Sequence, residues 1–128
     1  MIADADREDV VWLAGLLEGE GTFDLQRGKY PRVRVAMTDR DVVGRAATLF
    51  GSSIRLTLKP APASPIWHAE IQGPRAAEIM RAVLPFMGSR RSGKIAQILS
   101  EYARDSIGQG TAYGRVLARP PGLLSPSL

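Results

Sequence analysis

Two glutamates stand close together in the stretch Glu18-Gly19-Glu20-Gly21, at the end of a segment whose apolar residues have helical spacing. The carboxyl end of a helix carries partial negative charge, so carboxylates are unfavourable there unless another group compensates them. The glycines free the backbone to turn directly into a strand, which exposes a carbonyl beside the Glu20 carboxylate. Oxygen ligands of this kind suit Mg²⁺. The stretch therefore predicts a divalent-cation site that includes Glu20.

A glycine in the middle of the same helix, Gly15, indicates how such a site is completed. Glycine inside a helix costs about 0.8–1 kcal/mol relative to alanine unless its small size permits a close approach of another backbone. A second copy of the helix is the simplest partner, and a bend or tight packing within the chain is the alternative. In a dimer that paired these helices, two carboxylates would meet at the symmetry axis and would repel unless cations lay between them.

The elements that position these residues follow from hydrophobic periodicity and turn residues. Strand-strand-helix occurs twice after the first helix, which predicts an α+β architecture with the helices on one face of a sheet. We expect one domain over residues 1–107 and a Gly/Pro-rich, extended tail over residues 108–128. The predicted helices are residues 8–18, 39–50, 74–86 and 92–105, and the predicted strands are residues 22–27, 32–37, 53–59 and 66–72.

The composition excludes several classes of protein. The chain has 128 residues, no cysteine, one histidine and a net charge of +4. Disulfide frameworks, zinc ribbons and thiol nucleophiles are therefore excluded, and nuclease sites that need several histidines are unsupported. The acidic first residues and the short apolar runs predict neither a signal peptide nor a membrane span. We expect a cytoplasmic, nucleoid-associated protein, and the positive charge suits a polyanionic partner.

Polar and apolar residues alternate along the predicted strands, which predicts a sheet with one polar and one apolar face. Arginine pairs with guanine edges, glutamine with adenine, and carboxylates accept hydrogen bonds from cytosine, so the polar face suits readout of the DNA major groove. An ordinary antiparallel sheet with one solvated face is the alternative. The candidate DNA-binding residues are Asp24, Gln26, Arg32, Arg34, Arg55, Thr57, Lys59, His68 and Glu70.

The nine residues Leu13-Ala14-Gly15-Leu16-Leu17-Glu18-Gly19-Glu20-Gly21 resemble the LAGLIDADG motif of homing endonucleases, with glutamates where the family name has aspartates. Thr22-Phe23 continues the motif as in many members. The sequence MTDRD at the start of the second helix and RRSGKIAQIL near the last helix extend the resemblance over about residues 1–105.

This resemblance implies an αββαββα fold, with a saddle-shaped antiparallel sheet that lies in the DNA major groove. It also implies that the motif helices form the central interface, and that a chain with one motif acts as a homodimer. The dimer interface would then include Leu13, Ala14, Gly15 and Leu17.

The resemblance further implies roles for individual residues. Glu20 matches the acid that binds the divalent cation, with the backbone carbonyl of Gly19 assisting, whereas Glu18 matches an acid that is mainly structural. Lys94 matches a basic residue near the scissile phosphate, where it would polarise water or stabilise developing negative charge. Asp39 is a candidate for organising the attacking water, although it is also well placed to cap the second helix.

The function that these residues imply is site-specific cleavage of both strands of double-stranded DNA by a homodimer that requires Mg²⁺ or Mn²⁺. Such an enzyme hydrolyses phosphodiester bonds with water as the nucleophile, and the family is associated with the mobility of introns or inteins. Two alternatives use the same fold: a DNA-binding regulator that does not cut, and an RNA-splicing maturase.

Overall fold

The computed structural model of the chain describes residues 6–117, and the side chains of residues 6–105. Four helices and four strands follow one another in the order α1-β1-β2-α2-β3-β4-α3-α4, and a single 3₁₀ turn, Leu84–Phe86, joins the last two helices. The helices are α1 Arg7–Glu20, α2 Arg40–Phe50, α3 Pro74–Val83 and α4 Ser89–Leu117, and the strands are β1 Gly21–Gln26, β2 Tyr30–Met37, β3 Arg55–Thr57 and β4 Ile66–Gln72.

The four strands form one antiparallel sheet in the order β1-β2-β4-β3, so β2 and β4 are central and β1 and β3 are the edges. Asp24 lies opposite Arg32, and Arg34 lies opposite Glu70. Because side chains alternate between the two faces of a strand, this register collects the polar residues on one face. The predicted division of the sheet into a polar and an apolar face is confirmed.

The core lies between the apolar face of the sheet and the helices. Phe23, Val33, Val35 and Ala69 supply the sheet side and are at most 4% exposed. The mixed helix and sheet architecture that the sequence predicted is therefore confirmed. The helices contribute Leu13, Ala14, Leu17, Val43, Ala46, Ala47, Phe50, Ala76, Ile79, Met80, Val83, Ile95 and Ile98.

Local signals in the sequence account for the ends of several elements. The Asp6 side chain caps α1 by accepting a hydrogen bond of 2.9 Å from the backbone N–H of Asp9. Pro74 stands in the first turn of α3, where its missing N–H costs nothing. Arg27 and Gly28 both have positive φ, 56° and 66°, in the tight turn between β1 and β2, and glycine adopts this conformation without steric cost.

The edge strand β3 is shorter than predicted. It covers three residues, Arg55–Thr57, so Lys59 lies beyond it in the loop to β4. Leu56 and Leu58, in and beyond this strand, are 40% and 75% exposed. The error has a physical cause, because three proline residues between positions 60 and 65 remove donors that a longer strand would need.

The last two helices also differ from their predicted bounds. Helix α3 ends at Val83, and the chain tightens into the 3₁₀ turn at Pro85, which cannot donate a helical hydrogen bond. Helix α4 begins at Ser89 and continues to Leu117, into the region predicted to be an extended tail. Residues 118–128 of that tail lie outside the described residues. No helix in the described part of the chain is both long enough and apolar enough to cross a bilayer.

Candidate metal site and nucleic-acid interface

Glu20 is the last residue of α1, and its side chain is exposed. It borders a hollow on the polar face of the sheet together with Thr22, Arg34, Arg55 and others. Within residues 6–105, Glu20 makes no side-chain hydrogen bond and no ion pair. Its carboxylate oxygens are therefore available to a ligand.

Glu18, two residues earlier, is in the opposite situation. Its Oε1 accepts a hydrogen bond of 2.8 Å from the backbone N–H of Gly88, and its Oε2 lies 3.7 Å from Nε of Arg91. This carboxylate joins the end of α1 to the segment that starts α4. The structural role expected for Glu18 agrees with these contacts.

Arg91 explains how carboxylates are tolerated at this end of α1, and sequence reasoning missed it. Its Nε donates to the carbonyl of Glu18 at 2.7 Å, and its Nη1 donates to the carbonyl of Gly21 at 2.6 Å. Only 14% of the Arg91 side chain is exposed. This partly buried guanidinium thus satisfies the carbonyl of Glu18, which the helix leaves without a partner, as well as that of Gly21, and it offsets the negative charge. The one available signal was the run Arg90-Arg91, which does not distinguish the two arginines.

Gly21 is required where the chain turns from α1 into β1. A Cβ atom there would lie 2.8 Å from the carbonyl oxygen of Leu17 and 2.9 Å from its Cα. Real Cβ atoms do not approach a backbone this closely, so any other residue would displace the strand. By contrast, a Cβ atom at Gly19 would meet nothing within 4 Å. Glycine at position 21 thus lets β1 start directly beside Glu20.

The predicted dimer-interface residues fall on two different faces of α1. Leu13, Ala14 and Leu17 are 0%, 2% and 0% exposed because they pack into the core of their own chain. Fully buried side chains cannot contact a second copy, so the prediction is wrong for these three residues. Gly15 is exposed, and a Cβ atom there would meet nothing within 4 Å. Of the four predicted residues, only Gly15 lies on the free face.

The free face of α1 carries its own spacing of small and apolar residues. Val11 is 45% exposed, and Gly15 and Gly19 follow at intervals of four residues. Residues four apart lie one above the other on a helix. We call the surface of Val11, Gly15 and Gly19 the free face of α1.

Lys94 borders a second hollow, which lies next to the first. Thr22 lines both hollows, and the second is also lined by Arg90, Arg91 and Gln97. Glu20 and Lys94 therefore stand on either side of the start of β1. Lys94 is exposed and lies in the second turn of α4. The structure places these two predicted residues at two hollows that share Thr22, and Arg90 and Gln97 line the hollow of Lys94.

Asp39 is less well placed for chemistry. It occupies the N-cap position of α2, yet its side chain makes no capping hydrogen bond and instead accepts one of 3.3 Å from the Thr38 hydroxyl. Its backbone carbonyl accepts from the N–H of Val43. Asp39 lines neither of the hollows that contain Glu20 and Lys94. Capping by the backbone is the role that these contacts support.

The remaining predicted DNA-binding residues are spread over the polar face. Arg34, Arg55, His68 and Glu70 border the same hollow as Glu20. Gln26 lies at the far end of β1, beside Tyr30 and Gln72.

His68 lies near the edge strand, and its Nε2 is 2.9 Å from the hydroxyl of Thr57. Burial lowers the pKa of His68, and the positive charges of Arg55 and Lys59 lower it further, against an opposing effect of Glu70. At neutral pH His68 is therefore an uncharged hydrogen-bonding group on the polar face.

Asp24 and the two arginines of β2 form one hydrogen-bonded cluster. Arg32 donates from Nε and Nη2 to the two oxygens of Asp24 at 2.9 Å each, and Arg34 donates from Nη2 to Oδ2 at 2.9 Å. The hydrogen bond from Arg32, with the charges of both arginines, lowers the pKa of Asp24, while partial burial opposes this. The same pairing raises the pKa of Arg32. The Asp24 carboxylate thus accepts hydrogen bonds from both arginines.

The described part of one chain contains no group of three or more His, Cys, Asp or Glu that could hold a metal ion. Within the described residues, the exposed Glu20 carboxylate and the adjacent carbonyl of Gly19 offer oxygen atoms of the kind that Mg²⁺ prefers. A complete coordination shell would need further oxygen atoms from a second chain, a substrate or water. Comparison of the chain with protein-family models, curated proteins and solved structures finds no match. Function is therefore inferred from the site itself.

Proposed function

We propose that the chain is a homodimeric, divalent-metal-dependent endonuclease of the LAGLIDADG type, which cuts both strands of a specific double-stranded DNA site. The observation that carries this proposal is the position of Glu20. An exposed carboxylate, unpaired among the described residues, ends a helix and borders the polar face of a four-stranded sheet. A metal site beside a DNA-binding surface needs this combination.

The order of elements supports the family's fold. Helix, two strands, helix, two strands and helix follow one another from α1 to α3, and the sheet is antiparallel. Its apolar side packs against the core, so the polar side is left to contact a partner. A saddle-shaped sheet in a major groove is the specific form that we propose for this surface.

The free face of α1 supports a homodimer. Among the described residues Gly15 has no packing neighbour that would require glycine, yet glycine costs about 1 kcal/mol in a helix interior. A second α1 lying against Gly15 and Gly19 would supply the missing reason, because small residues let two helices approach closely. Two-fold symmetry would then bring two Glu20 residues near one axis and imply two matching DNA half-sites.

The chemistry follows from residues at the two hollows. Glu20 and the carbonyl of Gly19 would hold Mg²⁺, which when bound supplies an activated water and stabilises the leaving oxygen. Lys94, next to Arg90 and Arg91, would stabilise the negative charge that develops on the phosphate. Arg34 and Arg55, in the hollow of Glu20, would contact the bound strand. The buried Arg91 keeps the backbone of Glu18 and Gly21 fixed while this occurs.

The test is cleavage of a library of randomised double-stranded DNA sites in plasmids, with Mg²⁺ and with EDTA. Wild type is expected to linearise plasmids that carry selected sites only when Mg²⁺ is present. Glu20→Gln is expected to lose cleavage while it keeps binding to the selected site. Glu18→Gln is the matched control, because the same charge is removed from a residue whose carboxylate is used within the chain. This variant should keep part of its activity.

Other outcomes would support the alternatives. Site-specific binding by wild type without strand scission under any divalent cation would favour a DNA-binding regulator. Preference for a structured intron RNA over every duplex would favour a maturase. Cleavage by Glu20→Gln at the wild-type rate would contradict the proposed site even if the protein were a nuclease.

A further inference from the structure

The Asp24 cluster, which consists of Asp24, Arg32 and Arg34, has an asymmetry that the alternation of strands does not reveal. Asp24 lies directly opposite Arg32 across β1 and β2, whereas Arg34 is one step further along the same face and reaches Asp24 diagonally. Arg32 uses two donor nitrogens on the carboxylate, and Arg34 uses one. The Asp24 carboxylate therefore binds two guanidinium groups, with two hydrogen bonds to Arg32 and one to Arg34.

Exposure distinguishes the two arginines in the same way. The side chain of Arg32 is 21% exposed and that of Arg34 is 42% exposed. Nε of Arg34 is buried and has no hydrogen-bond partner within the described residues, so contact with an outside group falls to its two Nη groups. Arg34 also borders the hollow of Glu20, whereas Arg32 does not. Arg32 is therefore held by Asp24 and mostly buried, whereas Arg34 is more exposed and able to contact an outside group.

We propose that Asp24 is a positioning residue for guanine readout: it orients Arg34 toward the O6 and N7 acceptors of a guanine in the major groove, while Arg32 fixes Asp24. This inference rests on the proposed DNA-binding function and deepens it. Guanine is the base whose major-groove edge offers two acceptors, and an arginine in a fixed plane matches them with two donors.

The physical advantage is preorganisation. A free arginine side chain loses rotamer freedom when it docks on a base, and this loss weakens binding. A side chain that is already held by a carboxylate loses less. Asp24 consequently acts through Arg34, because three N–H groups of the two arginines already bond to its two oxygens.

Replacement of Asp24 should therefore change specific and non-specific binding in opposite directions. Asp24→Asn removes a negative charge from the surface that faces the phosphates, which strengthens non-specific binding to any duplex. The same change releases Arg34, and the preference for guanine at one base pair in each half-site should fall by about two- to tenfold. A residue needed only for folding would weaken both kinds of binding together.

The experiment uses the full chain and a randomised duplex DNA library in EDTA, so that binding is measured without cleavage. After the preferred site of wild type is selected, each base pair is changed singly and affinities are measured for wild type, Asp24→Asn, Arg34→Ala and the double variant. We expect Asp24→Asn and Arg34→Ala to lose preference at the same guanine, and the double variant to lose no more than Arg34→Ala alone.

Glu8→Gln is the charge control. Glu8 is an exposed residue in the first turn of α1, outside the Asp24 cluster and the polar face of the sheet. Glu8→Gln removes the same net charge as Asp24→Asn, and it should keep the preference at the guanine read by Arg34. If Asp24→Asn does not fold, Arg32→Met provides the second test, because a loosened Asp24 should reduce the preference at that same base pair.

The outcomes separate this inference from the proposed function. If wild type selects a site but Asp24→Asn keeps the guanine preference, or loses preference at a different base pair from Arg34→Ala, the positioning role of Asp24 is wrong and DNA recognition stands. If wild type binds all duplexes equally, the proposed sequence-specific function fails and the positioning role fails with it.

Discussion

The two sides of α1 serve different purposes although they belong to one helix. On one side Leu13, Ala14 and Leu17 are sealed into the core, and Glu18 is held by Gly88 and Arg91. On the other side, a Cβ atom added at Gly15 or Gly19 would meet nothing within 4 Å among the described residues. The helix ends at Glu20, which has no partner within residues 6–105. Two carboxylates two residues apart thus have opposite surroundings.

The side of α1 with Leu13, Ala14 and Leu17, which we call the fixed side, contributes to the stability of the chain, whereas the side with Gly15 and Gly19 does not. Every residue on the fixed side has a reason to be there that comes from the chain itself. Within the described residues Gly15 and Glu20 have no such reason, since an alanine and a neutral side chain would suit an isolated chain better. Residues that cost stability and gain nothing locally indicate a function outside the chain.

The largest expected effect comes from the fixed side. Leu17→Ala should lower the free energy of unfolding by about 2–5 kcal/mol, because it leaves a cavity where a fully buried leucine packs. Urea denaturation at one fixed protein concentration measures this change. Val11→Ala, on the free face, should change it by less than about 0.5 kcal/mol in the monomer. Equal losses for both variants would contradict the division of α1 into two sides.

The turn from α1 to β1 gives the next effect. Gly21→Ala should destabilise the chain by about 1–3 kcal/mol, because its Cβ would collide with backbone atoms of Leu17 that cannot move aside. Gly19→Ala is the matched control, since the added methyl group meets nothing within 4 Å. Denaturation of both variants, at a concentration low enough to keep the chain monomeric, compares them directly. A Gly21→Ala protein as stable as Gly19→Ala would contradict the close approach.

Arg91 should give a smaller loss. Arg91→Met removes the donors to the carbonyls of Glu18 and Gly21, which should cost about 1.5 kcal/mol. Arg90→Met removes the same charge from an exposed neighbour and should cost less than about 0.5 kcal/mol. Thermal unfolding of the pair measures the difference. Should Arg90→Met prove the more damaging of the two, Arg91 would not be the residue that caps α1.

Much of the fold could be predicted because local signals agreed with one another. The helical spacing of apolar residues predicted the helices, and the alternation of polar and apolar residues predicted the two faces of the sheet. Asp6 and Pro74 indicated where α1 and α3 begin. The sequence could not show which of several apolar residues in α1 faced inward. Leu13, Ala14 and Leu17 were assigned to a dimer interface, although the sheet behind α1 buries them.

The place of Glu20 at a direct turn from helix to strand was predictable from its flanking glycines, whereas its role as a metal ligand stays a prediction. The candidate site was not predictable where contacts join distant parts of the chain. The hydrogen bonds of Arg91 span about seventy residues of sequence, and the diagonal bond from Arg34 to Asp24 depends on strand register. Neither contact leaves a periodic pattern for sequence reasoning to detect.

The smallest expected change in the free energy of unfolding is an increase, and it distinguishes the two sides of α1 most clearly. Gly15→Ala should raise the stability of the monomer by up to about 1 kcal/mol, because alanine favours the helix and its methyl group meets nothing. The same methyl group would hold two α1 helices apart, so the dimer should weaken. Gly44→Ala, in α2, is the matched control: its Cβ also meets nothing within 4 Å.

Both glycine variants should therefore gain stability in dilute solution, and only Gly15→Ala should lose association when light scattering follows molecular mass against concentration. Stability and association must both be measured, because a general loss of stability would also reduce dimer formation. A variant that is more stable as a monomer but weaker as a dimer has lost contact at the substituted position alone. If Gly15→Ala associates as strongly as Gly44→Ala, a second α1 does not lie against Gly15, and the proposed meeting of two Glu20 carboxylates at one symmetry axis is wrong.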